Sequence, residues 1–126
     1  MHHSRICSMQ IDCNVEDIDE AAHFWAAALG RPVDTNHRGS RGKYRQLATL
    51  PDEPMVQLQR VDHESRVHLD IETDDIKAEV ARLQKLGATV FKRLERWVVM
   101  QAPSGQRFCV VRVQRPDWPK NANRWE

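Results

Sequence analysis

The polar and apolar positions of the chain run through the same order twice. Residues 5–14 alternate between polar and apolar side chains, which is typical of a half-buried strand. Residues 18–29 then carry apolar side chains at spacings of three and four, which predicts an amphipathic helix. A second strand and helix follow at residues 66–72 and 76–86. When Gln10 is aligned with His68, Asp12 falls on Asp70 and Asp17 on Asp75, so the pattern indicates an internal repeat.

Both predicted helices have recognisable ends. Asp17 is placed to cap the first helix, with Glu20 three residues later as in a capping box, and Gly30 ends it. The second helix ends at Gly87. The apolar stripe of the first helix comprises Ile18, Ala21, Ala22, Trp25, Ala28 and Leu29, and that of the second comprises Ile76, Val80, Leu83 and Leu86.

Each helix is followed by two apolar segments joined by a turn. The segments "KYRQLATL" and "MVQLQRV" flank the turn "PDEP", and "RWVVMQ" and "RFCVVRV" flank "APSGQ". Each half therefore consists of a strand, a helix and about three strands. We expect a single α+β domain of two βαβββ modules, about 5–61 and 66–113, with a tail at 114–126. Their curved mixed sheet would carry both helices outside and enclose a concave cavity.

Strand parity separates core positions from cavity positions, because side chains two residues apart on a strand share a face. The apolar members of the two first strands should face the helices; these are Ile11, Cys13, Leu69 and Ile71. The polar members should line the cavity; these are Gln10, Asp12, His68 and Asp70.

Charge and cysteine content exclude several classes of protein. With 19 Lys and Arg against 18 Asp and Glu, the chain has no overall field that would attract nucleic acid or a membrane surface. It has no apolar run of membrane-spanning length, and its first residues lack the apolar core of an export signal. Three cysteines without a C-x-x-C pair favour thiols in a reducing cytoplasm.

The order of three segments resembles the vicinal oxygen chelate superfamily of glyoxalases, bleomycin-resistance proteins and dioxygenases, and especially its glyoxalase-like branch. These segments are "DIDEAAHFWAAALGRPV", "RVHLDIETDDIKAEVARLQKLGA" and "WVVMQAPSGQRFCVV". The resemblance implies paired βαβββ modules, a cavity in each curved sheet and frequently a homodimer.

The resemblance also implies where a metal would lie. Metal-using members place one ligand near the start of each first strand, here Gln10 and His68, and one on each last strand. Cys109 holds that last position in the second module, and Gln57 or Gln59 holds it in the first. The expected carboxylates are absent, so the metal site looks degenerate.

Two aspartates bear on this metal question. His68 with a Cys109 thiolate suits Zn²⁺, whereas Mg²⁺, Mn²⁺ and Fe²⁺ sites draw on carboxylate oxygens. The candidate ions are Zn²⁺, Mn²⁺, Fe²⁺ and Ni²⁺. Asp12 or Asp70 would supply the missing carboxylate. The alternative is that both aspartates pair with arginines or polar strand neighbours, as buried carboxylates generally require.

Metal-free chemistry remains open for the same residues. His68 beside Asp70 is a candidate general base with an orienting carboxylate, or simply a hydrogen-bond donor to a ligand. His68 with Cys109 is a candidate base and nucleophile, whereas a cysteine on a strand is more often a small buried apolar residue. Trp97, alone or with Phe108, would pack either a ligand or the sheet. Trp25 and Cys13 are predicted to be core.

Two further segments have alternative interpretations. The basic loop at residues 34–45 is either a solvated connection, a grip for an anion, or a lid over the first cavity. The tail carries Trp118 and Trp125 and is too rich in proline for regular structure, so we expect it to dock on the domain or on a partner subunit. His2 and His3 are predicted to belong to a disordered terminus.

Three functional hypotheses follow. The first is a glyoxalase-like protein that binds a small polar organic ligand in a cavity lined by His68 and Asp70, with Gln10, Asp12, Gln57, Gln59, Trp97 and Cys109 shaping the site. The second is a metal-dependent lyase, isomerase or dioxygenase of the same superfamily. The third is a non-catalytic protein that sequesters a drug. Metal content separates the first two, and stoichiometric binding without turnover identifies the third.

Overall fold

A computed structural model describes residues 1–126 and contains eight strands and two helices. In chain order these are β1 (His2–Cys13), α1 (Ile18–Leu29), β2 (Tyr44–Gln46), β3 (Met55–Arg60), β4 (Arg66–Thr73), α2 (Ile76–Lys85), β5 (Thr89–Arg93), β6 (Val98–Gln101), β7 (Arg107–Arg112) and β8 (Asn123–Trp125). This order confirms the predicted α+β class. It contains two successive segments, each with a strand, a helix and then further strands. Neither helix has the length and apolar character needed to cross a membrane.

The chain forms two compact units. We call Ser8–Val67 the first unit, and Met1–Cys7 together with His68–Glu126 the second unit. Each contains one helix and the strands against which that helix packs.

In the first unit, β3 lies between β2 and β1. β3 runs parallel to β1 and antiparallel to β2. The core under α1 consists of Ile11, Cys13, Ile18, Ala22, Leu47, Val56 and Leu58. The predicted helix-facing positions of β1 are therefore confirmed, and Trp25 packs against this core while half-buried. The apolar stripe predicted for α1 is wrong at its C-terminal end. Ala28 and Leu29 are exposed, because the core packed against α1 extends only as far as Ala26.

Local chemistry sets the ends of α1. The Asp17 side chain accepts hydrogen bonds from the backbone N–H groups of Asp19 and Glu20, which are otherwise without partners in a first helical turn. Such a cap is worth about 1 kcal/mol. At the other end Gly30 adopts the left-handed conformation, with φ 67°, and its N–H binds the Ala26 carbonyl. Glycine reaches this region without strain, so the helix stops where the sequence predicted.

In the second unit the strands follow the order β1, β4, β7, β6, β5, and β8 pairs with β1. β4 and β7 are parallel, whereas β6 is antiparallel to both β5 and β7. The core under α2 consists of Val80, Leu83, Ala88, Val98, Met100 and Val110, with Ile71, Ile76, Val90 and Phe108 packed against it. Leu69 and Leu86 were predicted to be core but are 45% and 67% exposed. The core extends along β4 only to Ile71, and Leu86 lies beyond the last turn of α2.

The N-terminus is ordered, so the prediction of a disordered His2 and His3 is wrong. β1 begins at His2, whose side chain is buried and whose Nε2 lies 2.8 Å from Oε1 of the buried Glu79 on α2. His2 is also the register partner of Trp125 on β8. The Trp125 indole donates to Ser4 Oγ at 2.8 Å. The tail thus docks on its own domain, which is one of the two outcomes predicted for it. The expectation that the tail lacks regular structure is wrong, because its last residues pair with β1 as β8.

A buried ion pair organises the rest of the tail. Arg5 Nε donates to Glu72 Oε2 at 2.7 Å, and the two side chains are 5% and 0% exposed. The other nitrogens of the Arg5 guanidinium donate to tail carbonyls, those of Arg115, Pro116 and Lys120. The same guanidinium stands 5.0 Å from the ring centre of Trp118. One arginine therefore joins the strand, the carboxylate and the tail.

Glu79 gives the second unit an acid-sensitive contact. Burial raises the pKa of this carboxyl, but hydrogen bonds from Arg82, His2 and Ser4 outweigh burial and hold the pKa below its usual value of 4.5. A carboxyl whose pKa is lower in the folded state stabilises the fold above the unfolded pKa, and this contribution disappears as the pH falls through the folded pKa.

Glu79→Gln is therefore expected to lower the free energy of unfolding at neutral pH and to flatten its decline below about pH 4.5. Urea unfolding at a series of pH values measures both effects. Glu95→Gln, at an exposed position, is the matched control and should keep the wild-type profile. A Glu79→Gln profile parallel to that of the wild type would contradict this assignment.

Candidate functional site

Three side chains of the second unit form a cluster at the middle of its sheet. His68 and Asp70 alternate along β4 and share a face, as the parity of the sequence predicted. Cys109 on β7 is the register partner of Asp70. The donor atoms of the three residues all lie within 4.8 Å of one another. Asp70 is buried, and His68 and Cys109 are half-buried.

The spacing of these donors fits one metal ion. His68 Nε2 lies 3.6 Å from Asp70 Oδ1, which is longer than a normal N–H···O hydrogen bond. Two ligands of a tetrahedral zinc ion, each bound at about 2.1 Å, lie about 3.4 Å apart. One nitrogen, one oxygen and one sulfur donor form a set that Zn²⁺ accepts, whereas Mn²⁺ prefers oxygen. The residues present therefore fit zinc better than the other metals considered.

Trp97 stands near this cluster and outside the core. It directly precedes β6, whose residue Val99 is the register partner of Cys109. Parity places Trp97 on the face of Val99, and its side chain is 39% exposed. Phe108, which directly precedes Cys109 on β7, packs instead against the core under α2. Trp97 is therefore exposed, whereas Phe108 contributes to the core.

The amides predicted for the first cavity lie together in the first unit. Gln10 on β1 is the register partner of Gln57 on β3, and Asp12 is that of Gln59. Gln10 Nε2 donates to Ser8 Oγ at 2.9 Å, and Gln59 Nε2 contacts the Tyr44 hydroxyl at 3.4 Å. These groups already bond to protein partners within this unit.

Sequence reasoning missed Gln46, which is 2% exposed on β2 and is the register partner of Gln57. Its side-chain Oε1 is buried without a hydrogen-bond partner. The signal was the alternation of the segment "KYRQ", in which Tyr44 and Gln46 share a face. Together with Gln10 and Gln57 it makes a row of three neighbouring amides across the strands.

The basic loop packs against this row, and a role as a lid stays a prediction. Gln57 Nε2 donates to the Gly39 carbonyl at 3.1 Å, and the Gln46 N–H donates to Ser40 Oγ at 2.8 Å. A Cβ at position 39 would come within 2.9 Å of side-chain atoms of Gln46, Gln57 and His37, so only glycine packs here without displacement. Among the cationic side chains of the loop, Arg38, Arg41 and Lys43 are exposed, whereas Arg45 pairs with Asp19.

The two aspartates of the repeat have different surroundings. Asp12 is 2% exposed, and its Oδ2 lies 3.4 Å from Arg66 Nε. The pairing with an arginine, one of the two alternatives, is therefore observed for Asp12, whereas Asp70 lies beside His68. Neighbouring Cys13 is core, as predicted, and burial followed by the Asp12 charge raises the pKa of its thiol. A raised pKa disfavours the thiolate, which is the nucleophilic form of cysteine.

A family model described as "Glyoxalase-like domain" matches residues 8–111. The chain belongs to this family. The match confirms the resemblance to the vicinal oxygen chelate superfamily. It includes both halves of the chain, each of which contains a strand, a helix and further strands. No curated protein matches this glyoxalase-like domain.

Solved structures similar to this glyoxalase-like domain come from the same superfamily. A glyoxalase/bleomycin resistance protein/dioxygenase superfamily member from Vibrio splendidus 12B01 has a TM-score of 0.60 and 18% identity, over 87% of this chain and 99% of the other. Methylmalonyl-CoA epimerase from Mycobacterium tuberculosis has a TM-score of 0.57 and 16% identity, over 86% and 87%. A variant of the Streptomyces coelicolor epimerase, in complex with 2-nitronate-propionyl-CoA, has 0.53 and 18%, over 86% and 98%. Identities this low show the fold alone.

Proposed function

We propose that this glyoxalase-like protein binds a small, oxygen-bearing organic ligand at a zinc ion held by His68, Asp70 and Cys109. The observation that carries the proposal is the convergence of one nitrogen, one oxygen and one sulfur donor within 4.8 Å. It is the one group of three such residues in the chain with this spacing. Three protein ligands are typical of zinc sites that leave a position for an external oxygen.

The chain's own residues would prepare this site. β4 and β7 hold the three donors on adjacent parallel strands, so little side-chain freedom is lost on binding. The buried position of Asp70 keeps its carboxylate out of water, which strengthens its attraction for a cation. Trp97 supplies an exposed aromatic surface for the apolar part of a ligand. When bound, zinc supplies Lewis-acid polarisation of a ligand oxygen.

The test is the zinc content of the purified, tag-free protein after addition of Zn²⁺ and desalting. We expect one zinc per chain. Loss of a ligand should weaken zinc binding by about 100-fold or more, since even residues behind the ligands contribute 10–100-fold. His68→Ala and Cys109→Ala should therefore lose the ion, whereas the control His63→Ala, at an exposed histidine outside the cluster, should retain it.

Retention of zinc by His68→Ala, or no retention by the wild type, would contradict the metal site. In the second case a screen of small polar ligands, methylmalonyl-CoA among them, tests whether His68 and Asp70 bind a ligand without metal. Turnover of any bound compound distinguishes a lyase or isomerase from a sequestering protein. The homodimer and the cytoplasmic location stay predictions; light scattering on the same preparation measures the first.

A further inference from the structure

The first unit contains a cleft that the proposed zinc site does not use. It lies between the end of β1, the N-terminal half of α1 and residues 65–67, and its volume is about 790 Å³. Small-molecule sites in proteins commonly enclose about 300–1,000 Å³. The cleft thus has room for a ligand of several rings or an extended chain.

The walls of the cleft are apolar and partly aromatic. Phe24 and Trp25 meet edge to face, with ring centroids 5.2 Å apart, and both line the cleft. Phe24 is 61% exposed, and Val15 and Val67, which also line the cleft, are 36% and 59% exposed. Single exposed apolar residues are ordinary, but three facing one cavity provide a surface that a ligand would desolvate.

The charges around these walls are mostly negative. Four carboxylates line the cleft, those of Asp12, Glu16, Asp17 and Glu20, against the single guanidinium of Arg66. Arg66 lies 3.4 Å from the buried Asp12 and offsets that charge, which leaves the other three lining carboxylates in excess. Two further cations stand nearby without lining the cleft: Arg60, whose Nε donates to the Val15 carbonyl, and Arg45, which pairs with Asp19. Asp17 uses its side chain to cap α1, whereas Glu16 and Glu20 are exposed at the rim.

The helix sets the geometry of this arrangement. Asp17, Glu20 and Phe24 stand three and four residues apart along α1, so they lie on one face of it. Glu20 occupies the capping-box position predicted from the sequence, but its side chain lines the cleft. A positively charged ligand would meet the exposed carboxylates of the cleft, and aromatic rings such as those of Phe24 and Trp25 also attract cations through their faces.

We infer that the cleft binds a small organic ammonium ion with a flat apolar body. The apolar walls would take the body and the rim carboxylates the charge. The inference does not depend on the zinc site, because every residue it uses belongs to the first unit.

Three probes of similar size and different charge test it: 2-phenylethylammonium, neutral 2-phenylethanol and anionic 3-phenylpropionate. Titrations followed by ¹⁵N–¹H correlation spectra should show saturable shifts at residues 15–25 and 65–67 with the ammonium. One carboxylate a few ångströms from the charge changes affinity on the order of fivefold in a solvated site. The ammonium should therefore bind at least ~10-fold more tightly than the alcohol, and the anion should not bind.

Variants separate the charge from the walls. Glu16→Gln with Glu20→Gln should weaken ammonium binding by about 10-fold or more, and Phe24→Ala should weaken the binding of both ammonium and alcohol. Asp52→Asn removes an exposed carboxylate outside the cleft and should change nothing. All of these positions are exposed, so the variants should keep their fold, and their spectra check this.

Three results would each overturn the inference. These are equal affinity for ammonium and alcohol, unchanged ammonium affinity in the double glutamine variant, and no saturable shift up to ~10 mM probe. Shifts at the same residues on dilution of the protein alone would mean that a second copy of the chain occupies the cleft, which would also overturn it.

Discussion

Arg5→Met is expected to lower the free energy of unfolding by about 3–5 kcal/mol, because it leaves the buried carboxylate of Glu72 without its cation. Glu72 Oε1 would still accept the N–H groups of Gln114 and Arg115, so the carboxylate is not stripped of every partner. The tail also loses the three carbonyl contacts that Arg5 provides. Destabilisation should therefore be accompanied by loosening of residues 115–120.

Thermal unfolding measures the first effect, and a drop in melting temperature of about 10 °C or more corresponds to the lower bound. Hydrogen exchange of the tail amides measures the second. The matched control is Arg31→Met, which breaks an arginine–glutamate pair whose side chains are 34% and 36% exposed. Solvent screens such a pair, so little change is expected. Equal melting temperatures for Arg5→Met and Arg31→Met would mean that the Arg5–Glu72 pair does not organise the tail.

Leu58→Ala is expected to cost about 2–5 kcal/mol of stability, because Leu58 is fully buried in the core under α1. The lost methyl groups leave a cavity that surrounding side chains fill only in part. The effect should extend to neighbouring side chains, since Leu58 lies between Gln57 and Gln59 on β3. A loosened strand would disturb the amide row on the opposite face.

Leu50→Ala provides the control, because the same side chain is shortened at a position that is 56% exposed. Urea unfolding of both variants should show a large shift for Leu58→Ala and a shift within about 0.5 kcal/mol for Leu50→Ala. Similar losses of unfolding free energy in Leu58→Ala and Leu50→Ala would mean that the Leu58 face of β3 does not form part of the core.

The sequence predicted what depends on periodicity and repetition. Alternation along β4 placed His68 and Asp70 on one face, and the repeat predicted two segments that each contain a strand, a helix and further strands. Helix ends were predictable because caps such as Asp17 and Gly30 act within a few residues. These features are local, or follow from one duplication.

Contacts between distant segments were not predictable in this way. Glu79 lies on α2 at a position that the apolar stripe left polar, yet it is buried and contacts His2 from the far end of the sequence. No sequence motif around Gly39 predicts its contact with the amide row. Arg5 lies 110 or more residues from the tail carbonyls that it binds. Such contacts form through the tertiary fold, which no short segment encodes.

The pairing of β1 with β8 affects how the order of segments along the polypeptide can be changed. His2 and Trp125 are register partners on adjacent antiparallel strands, so positions near the two ends of the sequence lie side by side. Antiparallel neighbours stand about 5 Å apart, a gap that two or three added residues bridge. The chain is therefore suited to circular permutation, with ends joined near β8 and reopened at an exposed turn such as residues 103–106.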